Sequence, residues 1–422
     1  MTRHTDLLFV LVTVFLDALG FGLIFPVLPH LIEQFTASRE QQIYWYGGLS
    51  AVYGLMQFFA APFLGALSDR FGRRPVILAS IFGLGLDFLL TSCASSLWVL
   101  LVARLICGVT SACLPVATAY VADVTSNEER SKGFGILGGT FGLGFILGPM
   151  IGGLLGAHNV RLPFYCGACL CLLNGLYGLF MLPESLPWDR RSNIRSDKIN
   201  PFLALVGLSR LDKGLLVFCA STTFATMVAQ STWVLYTESR LGWGALENGI
   251  FVFCLGLGFV TVQGGLLGFM LKYMSERRII FVGLVFGIIG YVLYGLAKEG
   301  WMMYAILIGT LVSLATGPAL QGIASKAASA QEQASTMGSL SAVSSLMTIL
   351  GPLVGNGLLA HVAQLPRTDW RLGITFFLCA TIQSLGVFAL TSDPKAGRNK
   401  SRVHAKSSWP QVCAFFARSN RK

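Results

Sequence analysis

The chain has 422 residues, of which 54% are hydrophobic and 12% charged, about half the charged share of an ordinary soluble domain. Its 31 basic and 20 acidic side chains cannot coat the several domains a water-soluble protein of this length would form, so most of the surface must face lipid. The net charge of +11 needs no nucleic-acid partner, because basic residues clustered in loops serve membrane topology and anionic headgroups.

Ten stretches of at least 18 residues carry no Asp, Glu, Lys or Arg: 41–68, 105–122, 133–160, 162–183, 214–237, 248–271, 279–297, 300–325, 333–366 and 372–392. Each is long enough to cross a bilayer as a helix. Segments 7–32 and 75–103 are interrupted only by Asp17 and Asp87, which brings the expected spans to twelve. Porin-like barrels are excluded, because their strands alternate polar and apolar residues and these segments do not. The first segment is too long for a signal-peptide core and lacks a small-x-small cleavage pattern, so it is expected to be a retained span. The ten cysteines lie mostly inside apolar segments with no paired spacing in the loops, so no disulfide, metal or other cofactor is expected. Cys166-Gly-Ala-Cys169 has redox spacing, yet in a lipid-bathed helix it reads as small packing residues.

With twelve spans both termini share one side, which holds 24 Lys and Arg against six on the other, at Arg39, Arg161, Arg240, Lys298, Arg367 and Arg371. The positive-inside rule then makes both termini cytoplasmic. The longest hydrophilic break, 183–213, carries Arg190, Arg191, Arg195 and Lys198 among Pro, Ser and Asn. It is expected to join a six-helix bundle over 1–182 to a second over 214–392, followed by a basic tail over 393–422. A self-comparison agrees: at an offset of 203 residues Gly65 meets Gly268, Trp98 meets Trp301, Pro115 meets Pro318, Gly148-Pro149 meets Gly351-Pro352, and Gly152 meets Gly355. Six spans repeated from the same side give parallel repeats about an axis normal to the membrane.

Span 1 carries Asp17 about ten residues from its start, roughly 15 Å deep at 1.5 Å per residue and so near the midplane. Asp87 and Arg104 lie on spans 3 and 4, each about seven residues from the connection near 94–97, at matching depth. A charge inside a membrane costs at least about 2.5 kcal/mol, which makes all three functional candidates. Arg104 either neutralises Asp87 and holds two helices in register or takes part in proton relay. If Arg104 takes Asp87, no span cation remains for Asp17, and a lone carboxyl can load and release a proton. Gln57, Gln230, Gln263, Gln321 and Asn356 are weaker candidates; each can hydrogen-bond a substrate or hold helices together. His158 and His361 read as interfacial. No titratable residue lies well inside a span of the second half, so proton handling is expected in the first.

The loop after span 2 reads Gly65-Ala-Leu-Ser-Asp69-Arg70-Phe-Gly72-Arg73-Arg74, where glycines permit close helix approach and a carboxylate meets several guanidiniums. Positive-inside anchoring accounts for the arginines but not for Asp69 or the glycine spacing. This resembles the signature gating loop of the major facilitator superfamily. Its counterpart from Gly268 through Lys272 and Glu276 to Arg278 is degenerate. In span 5, Gly135, Gly144, Gly148, Pro149, Gly152 and Gly153 resemble the antiporter motif of drug-exporting members, and Arg104-x3-Gly108-x3-Ala112 resembles the span 4 motif linked there to proton transfer. The run from Leu16-Asp17-Ala18-Leu19-Gly20 to Pro29, with Met56-Gln57-Phe58, Tyr120-Val-Ala-Asp123 and Leu182-Pro-Glu184-Ser185, resembles the bacterial tetracycline/proton antiporters.

That resemblance covers nearly the whole chain, more densely in the first half. It implies twelve transmembrane helices, no enzyme activity, and proton-coupled export of a tetracycline-like or other amphiphilic drug across the bacterial inner membrane by alternating access. It puts Asp17, Gln57, Asp69, Arg70, Asp87 and Arg104 on positions that matter for coupling. The expected partners are a small-molecule substrate, protons and lipid, with function as a monomer. Span 9 departs from the family, since Gly283-Leu-Val-Phe-Gly287-Ile-Ile-Gly290-Tyr291 lacks the aspartate those exporters carry. The departure favours an amphiphilic cargo over metal-chelated tetracycline in particular. Export or import of a metabolite or siderophore on the same fold is the alternative. A non-transporting receptor would have no reason to keep both the loop and the midplane acid, and no GxxxxGK[ST] sequence supports nucleotide-driven transport.

Overall fold

Prolines decide where the first helix stops. α1 (Thr2–Ile24) ends eight residues short of the apolar segment 7–32, because Pro26 falls in the turn that follows and Pro29 opens a separate short helix, Leu28–Glu33. The computed structural model describes residues 2–110, 113–126, 129–191, 213–317 and 330–392. Gln321, most of the central loop and the basic tail lie outside the described residues. α2 (Arg39–Phe71) runs past the charge-free stretch at both ends; its start is capped by the Ser38 hydroxyl, which accepts the Gln41 amide at 3.2 Å. There follow α3 (Arg73–Ser92), α4 (described as Leu97–Thr110 and Cys113–Val124), α5 (Arg130–His158), α6 (Leu162–Met181), α7 (Lys213–Leu241), α8 (Ala245–Tyr273), α9 (Glu276–Leu296), α10 (Gly300–Gly309), α11 (Ala330–Val362) and α12 (Ile374–Ser392).

Ten of the twelve are long and apolar enough to cross a membrane. The other two are α7, which is long but rich in Ser and Thr, and α10, which continues as a 3-10 turn over Leu311–Ala315. The face on which α1 begins is termed the near face, and the opposite one the far face.

The repeat read from the sequence is a repeat of packing. In the first half, a Cβ on Gly148 would lie 2.6 Å from the Leu19 carbonyl, so α5 presses on α1. In the second, a Cβ on Gly351 would lie 2.6 Å from Met227 Cβ, so α11 presses on α7 in the same way. Trp98 and Trp301 are 67% and 66% exposed at the equivalent far-face starts of α4 and α10, placed as interfacial anchors.

Two seams join the halves. In one, a Cβ on Gly153 (α5) would lie 2.5 Å from the Ala245 carbonyl (α8), and Gly249 abuts the Pro149 carbonyl. In the other, a Cβ on Gly47 (α2) would lie 2.8 Å from Asn356 Cβ (α11), and one on Gly54 would lie 3.3 Å from Thr348. All these contacts fall in the far-face half of their helices. Toward the near face, Gly135, Gly138, Gly139 and Gly142 of α5 and Gly264, Gly265 and Gly268 of α8 face open space. Among the described residues the α5–α8 seam is thus closed at the far face and open at the near one.

Candidate functional site

α5 builds the seat of the midplane carboxylate. Gly144, Gly148 and Gly152, one turn apart, let its backbone touch α1: Cβ atoms there would lie 2.9 Å from Ala18 Cβ, 2.7 Å from Gly22 Cα and 2.5 Å from the Leu23 carbonyl. Pro149 and Gly153 on the adjoining face meet α8. The expected small-residue motif therefore serves two contacts at once, one within its half and one between halves. Gly135 is not part of either in this state and faces open space.

Asp17 sits on α1 beside this rail. It is half-buried, and no hydrogen bond or ion pair joins its carboxylate to another described residue. One turn on, the Phe21 ring lies 5.9 Å from Tyr53 of α2 and 6.2 Å from Phe145 of α5, and Phe145 is 6.4 Å from Phe141. Gln57 is one turn from Tyr53 and is half-buried where α2 crosses α4: a Cβ on Gly108 would lie 2.7 Å from the Tyr53 carbonyl and 3.4 Å from the Gln57 amide nitrogen. A carboxyl, an amide and several aromatic rings thus converge from three helices. The sequence reading missed Phe21, Tyr53, Phe141 and Phe145, because an aromatic among thirty phenylalanines carries no signal until its neighbours are known.

Asp87 and Arg104 do pair. Arg104 Nη2 lies 2.6 Å from both Asp87 oxygens and 3.5 Å from the Thr91 hydroxyl, with Asp87 fully buried. The weaker candidates scatter. Gln230 is half-buried on α7, Gln263 is exposed in a π-helical turn of α8 (Val262–Leu266), and Asn356 is buried at the α2–α11 seam, donating to the Pro352 carbonyl at 2.9 Å. Gln263 extends, at helical spacing from Gly249 and Gly256, the α8 face that meets α5. His158 and His361 are exposed near helix ends, each with Nδ1 on the carbonyl four residues earlier.

At the near face the loop between α2 and α3 ties four helices of the first half together. Arg73 reaches Asp69 at 2.6 Å, Asp123 at 3.2 Å and the Ser68 hydroxyl at 2.7 Å, and Ser185 donates to Asp123 at 3.2 Å. The Glu184 carboxylate accepts the Arg73 and Arg74 amides at 2.8 and 3.3 Å, satisfying the open first turn of α3. Arg74 donates to the Leu179 carbonyl at 2.5 Å, and Arg70 stacks 5.2 Å from the Phe71 ring. Gly72 is required by its backbone, with φ of 107°, and by Glu184, which a Cβ would strike. Gly65, by contrast, faces open space, so the close approach expected there is not made in this arrangement.

Gly72→Ala combines a strained backbone with a collision against the α3 cap, so a loss of about 1–3 kcal/mol of stability is expected. Thermal unfolding of purified protein checks it; an unchanged midpoint would show that the loop tolerates a side chain there.

At the far face the halves are latched by charge. Arg39 of α2 lies 2.8 Å from Glu238 of α7 and donates to the Leu235 carbonyl at 2.9 Å and the Ser239 hydroxyl at 3.1 Å. Arg240 is buried and donates to the carbonyls of Ala297, Arg367 and Asp369 at 2.9, 2.7 and 2.6 Å, closing the second half on itself.

Two repeated six-helix bundles, joined at the far face, open along the α5–α8 seam at the near one and carrying a carboxyl inside a span, define a membrane transporter of two rocking halves. The family model for the Major Facilitator Superfamily matches residues 10–352, and the chain belongs to that superfamily. It is 38% identical over 386 residues to the class C tetracycline resistance protein of Escherichia coli, covering 90% of this chain and 96% of that one. The class B protein of Escherichia coli is 34% identical over 402 residues, covering 94% and 98%. Among solved structures, a bacterial homologue of the human lysosomal transporter Spinster, inward-facing and occupied, aligns with a TM-score of 0.74 at 15% identity, covering 96% of this chain and 99% of that one. The human organic anion transporter MFSD10 (TETRAN) aligns with a TM-score of 0.65 at 23% identity, covering 92% and 100%. These two likenesses show the shared fold.

Proposed function

We propose that the chain is a proton-coupled antiporter that exports an amphiphilic, tetracycline-like drug across the bacterial inner membrane by alternating access. The observation that carries this is Asp17: of the two carboxylates well inside spans, Asp87 is held by Arg104 and Asp17 is not. Its seat on α1 is gripped by α5, the helix that also bridges to the second half, so protonation and rocking share one element. Phe21, Tyr53, Phe141 and Phe145 supply flat apolar surface for a polycyclic cargo, and Gln57 an amide to orient it. Gln230 and Gln263 extend the binding surface into the second half. With both termini cytoplasmic, the far face is external, and the Arg39–Glu238 latch closes the outside while cargo and proton exchange with the cytoplasm.

The cycle needs no covalent chemistry. A proton moving inward releases about 2.3 kcal/mol per 100 mV, enough for roughly a 50-fold gradient of a neutral solute. Lipid surrounds the bundles, and the protein works as a monomer. With no acid on α9, whose Gly287 lies beside the Gln383 amide at 3.2 Å from an added Cβ, proton handling is assigned to the first half. Accumulation of labelled tetracycline tests the reading: cells expressing the protein should hold less drug than cells without it, and a protonophore should erase the difference. Equal accumulation would remove tetracycline-like drugs as the cargo.

The open glycines of α5 lie on one face with its far-face contacts, since residues 153, 149, 146, 142, 139 and 135 follow helical spacing. Rocking must bring that near-face stretch against α8. Gly142→Leu adds a side chain that has room now and none after closure, so it should abolish transport with the unfolding midpoint unchanged. Retained flux would show that this face stays open throughout.

A further inference from the structure

Around Glu238 of the far-face latch lies a group of side chains that neither cargo binding nor proton handling uses. His30 and Glu33 stand three residues apart on the short helix after α1, and both approach Glu238 of α7 in the other half. His30 Nδ1 is 3.9 Å from Glu33 Oε2 and 3.8 Å from Glu238 Oε1. One ligand atom from each of the three lies within 4.8 Å of the others. Two of their polar atoms, His30 Nε2 and Glu238 Oε2, are buried with no hydrogen-bond partner among the described residues. A cavity of about 400 Å³ opens beside His30 and Glu33, which line it with Gln34, Gly156, Gly244 and Ala245.

We propose that His30, Glu33 and Glu238 form a binding site for a divalent transition-metal cation, Zn2+ above all, that bridges the two halves at the far face. Imidazole nitrogen and carboxylate oxygen are both zinc ligand types, three such side chains leave the fourth position of a tetrahedral ion to water, and the open cavity supplies that water. Ligand atoms about 2 Å from a tetrahedral ion stand about 3.3 Å from one another, so the two separations from His30 Nδ1, 3.9 and 3.8 Å, must contract by about 0.5 Å, and the two carboxylates, within 4.8 Å, must draw in with them. The Arg39 guanidinium sits 2.8 Å from Glu238 Oε1 and consumes one negative charge, yet Oε2 remains without a partner and Glu33 contributes a second carboxylate. The cluster therefore keeps a net charge of −1 for a cation with a neutral imidazole. Since ligands come from both bundles, a bound ion holds the far face closed, adding a coordinate link to the Arg39 latch.

Equilibrium binding tests the site without any transport substrate, which itself can chelate metal. Purified protein in lipid nanodiscs, its accessible thiols first alkylated, is titrated with Zn2+ by calorimetry. The wild type should bind one ion, and His30→Ala, Glu33→Gln and Glu238→Gln should each weaken it at least tenfold. Glu33 is exposed, so its variant keeps the fold even if His30→Ala proves unstable. No binding by the wild type, or equal binding by wild type and Glu33→Gln, would overturn the site. Weakening by His30→Ala and Glu33→Gln but not by Glu238→Gln would overturn the bridge.

Discussion

Asp17→Asn should abolish uphill export while leaving the protein folded. The change is nearly isosteric, and the half-buried carboxylate has no described ion-pair or hydrogen-bond partner to lose, so stability should move by no more than about 0.5 kcal/mol. The amide cannot carry a proton, however, and without proton entry the gradient of roughly 50-fold that 100 mV supports should collapse to none. Downhill exchange of cargo for cargo needs only rocking and should persist. Everted vesicles loaded with labelled tetracycline separate the two: the variant should show exchange without energised accumulation. Energised accumulation equal to the wild type would place the proton elsewhere.

Asp87→Asn should behave in the opposite way, as a folding defect first. It strands a buried guanidinium that now sits 2.6 Å from both carboxylate oxygens, and breaking such a pair costs about 3–5 kcal/mol. Replacing both partners, Asp87→Asn with Arg104→Gln, removes the charge with its counter-charge and should restore most of the lost stability. On the reading that the pair holds α3 and α4 in register and does not relay the proton, the double variant should also transport. Thermal unfolding and vesicle flux together decide it: a double variant that folds but no longer couples would make the pair part of the proton path.

Much of the fold was legible because a bilayer leaves few choices. Charge-free length marked the spans, and the offset of 203 residues marked a repeat that Gly148 and Gly351 bear out by pressing on α1 and α7 alike. What charge counting could not see was backbone chemistry: Pro26 and Pro29 end α1 early, and that early end frees the short helix on which His30 and Glu33 stand. Asp87 and Arg104 could be matched by depth because their helices are joined by a tight connection. Arg39 and Glu238 could not, since they stand on different halves of the chain. Glu184 was visible only as part of a family-like stretch; its work as the cap of α3, and with it the strict need for Gly72, required coordinates. The Phe21, Tyr53 and Phe145 lining was hidden by the abundance of such residues in every span.

The most direct measurement is of protons released when cargo binds. Purified wild-type protein in weakly buffered detergent solution should release protons on addition of tetracycline at neutral pH, and Asp17→Asn should bind the drug without releasing them. No release by the wild type, or the same release by the variant, would contradict the assignment of Asp17 as the proton carrier.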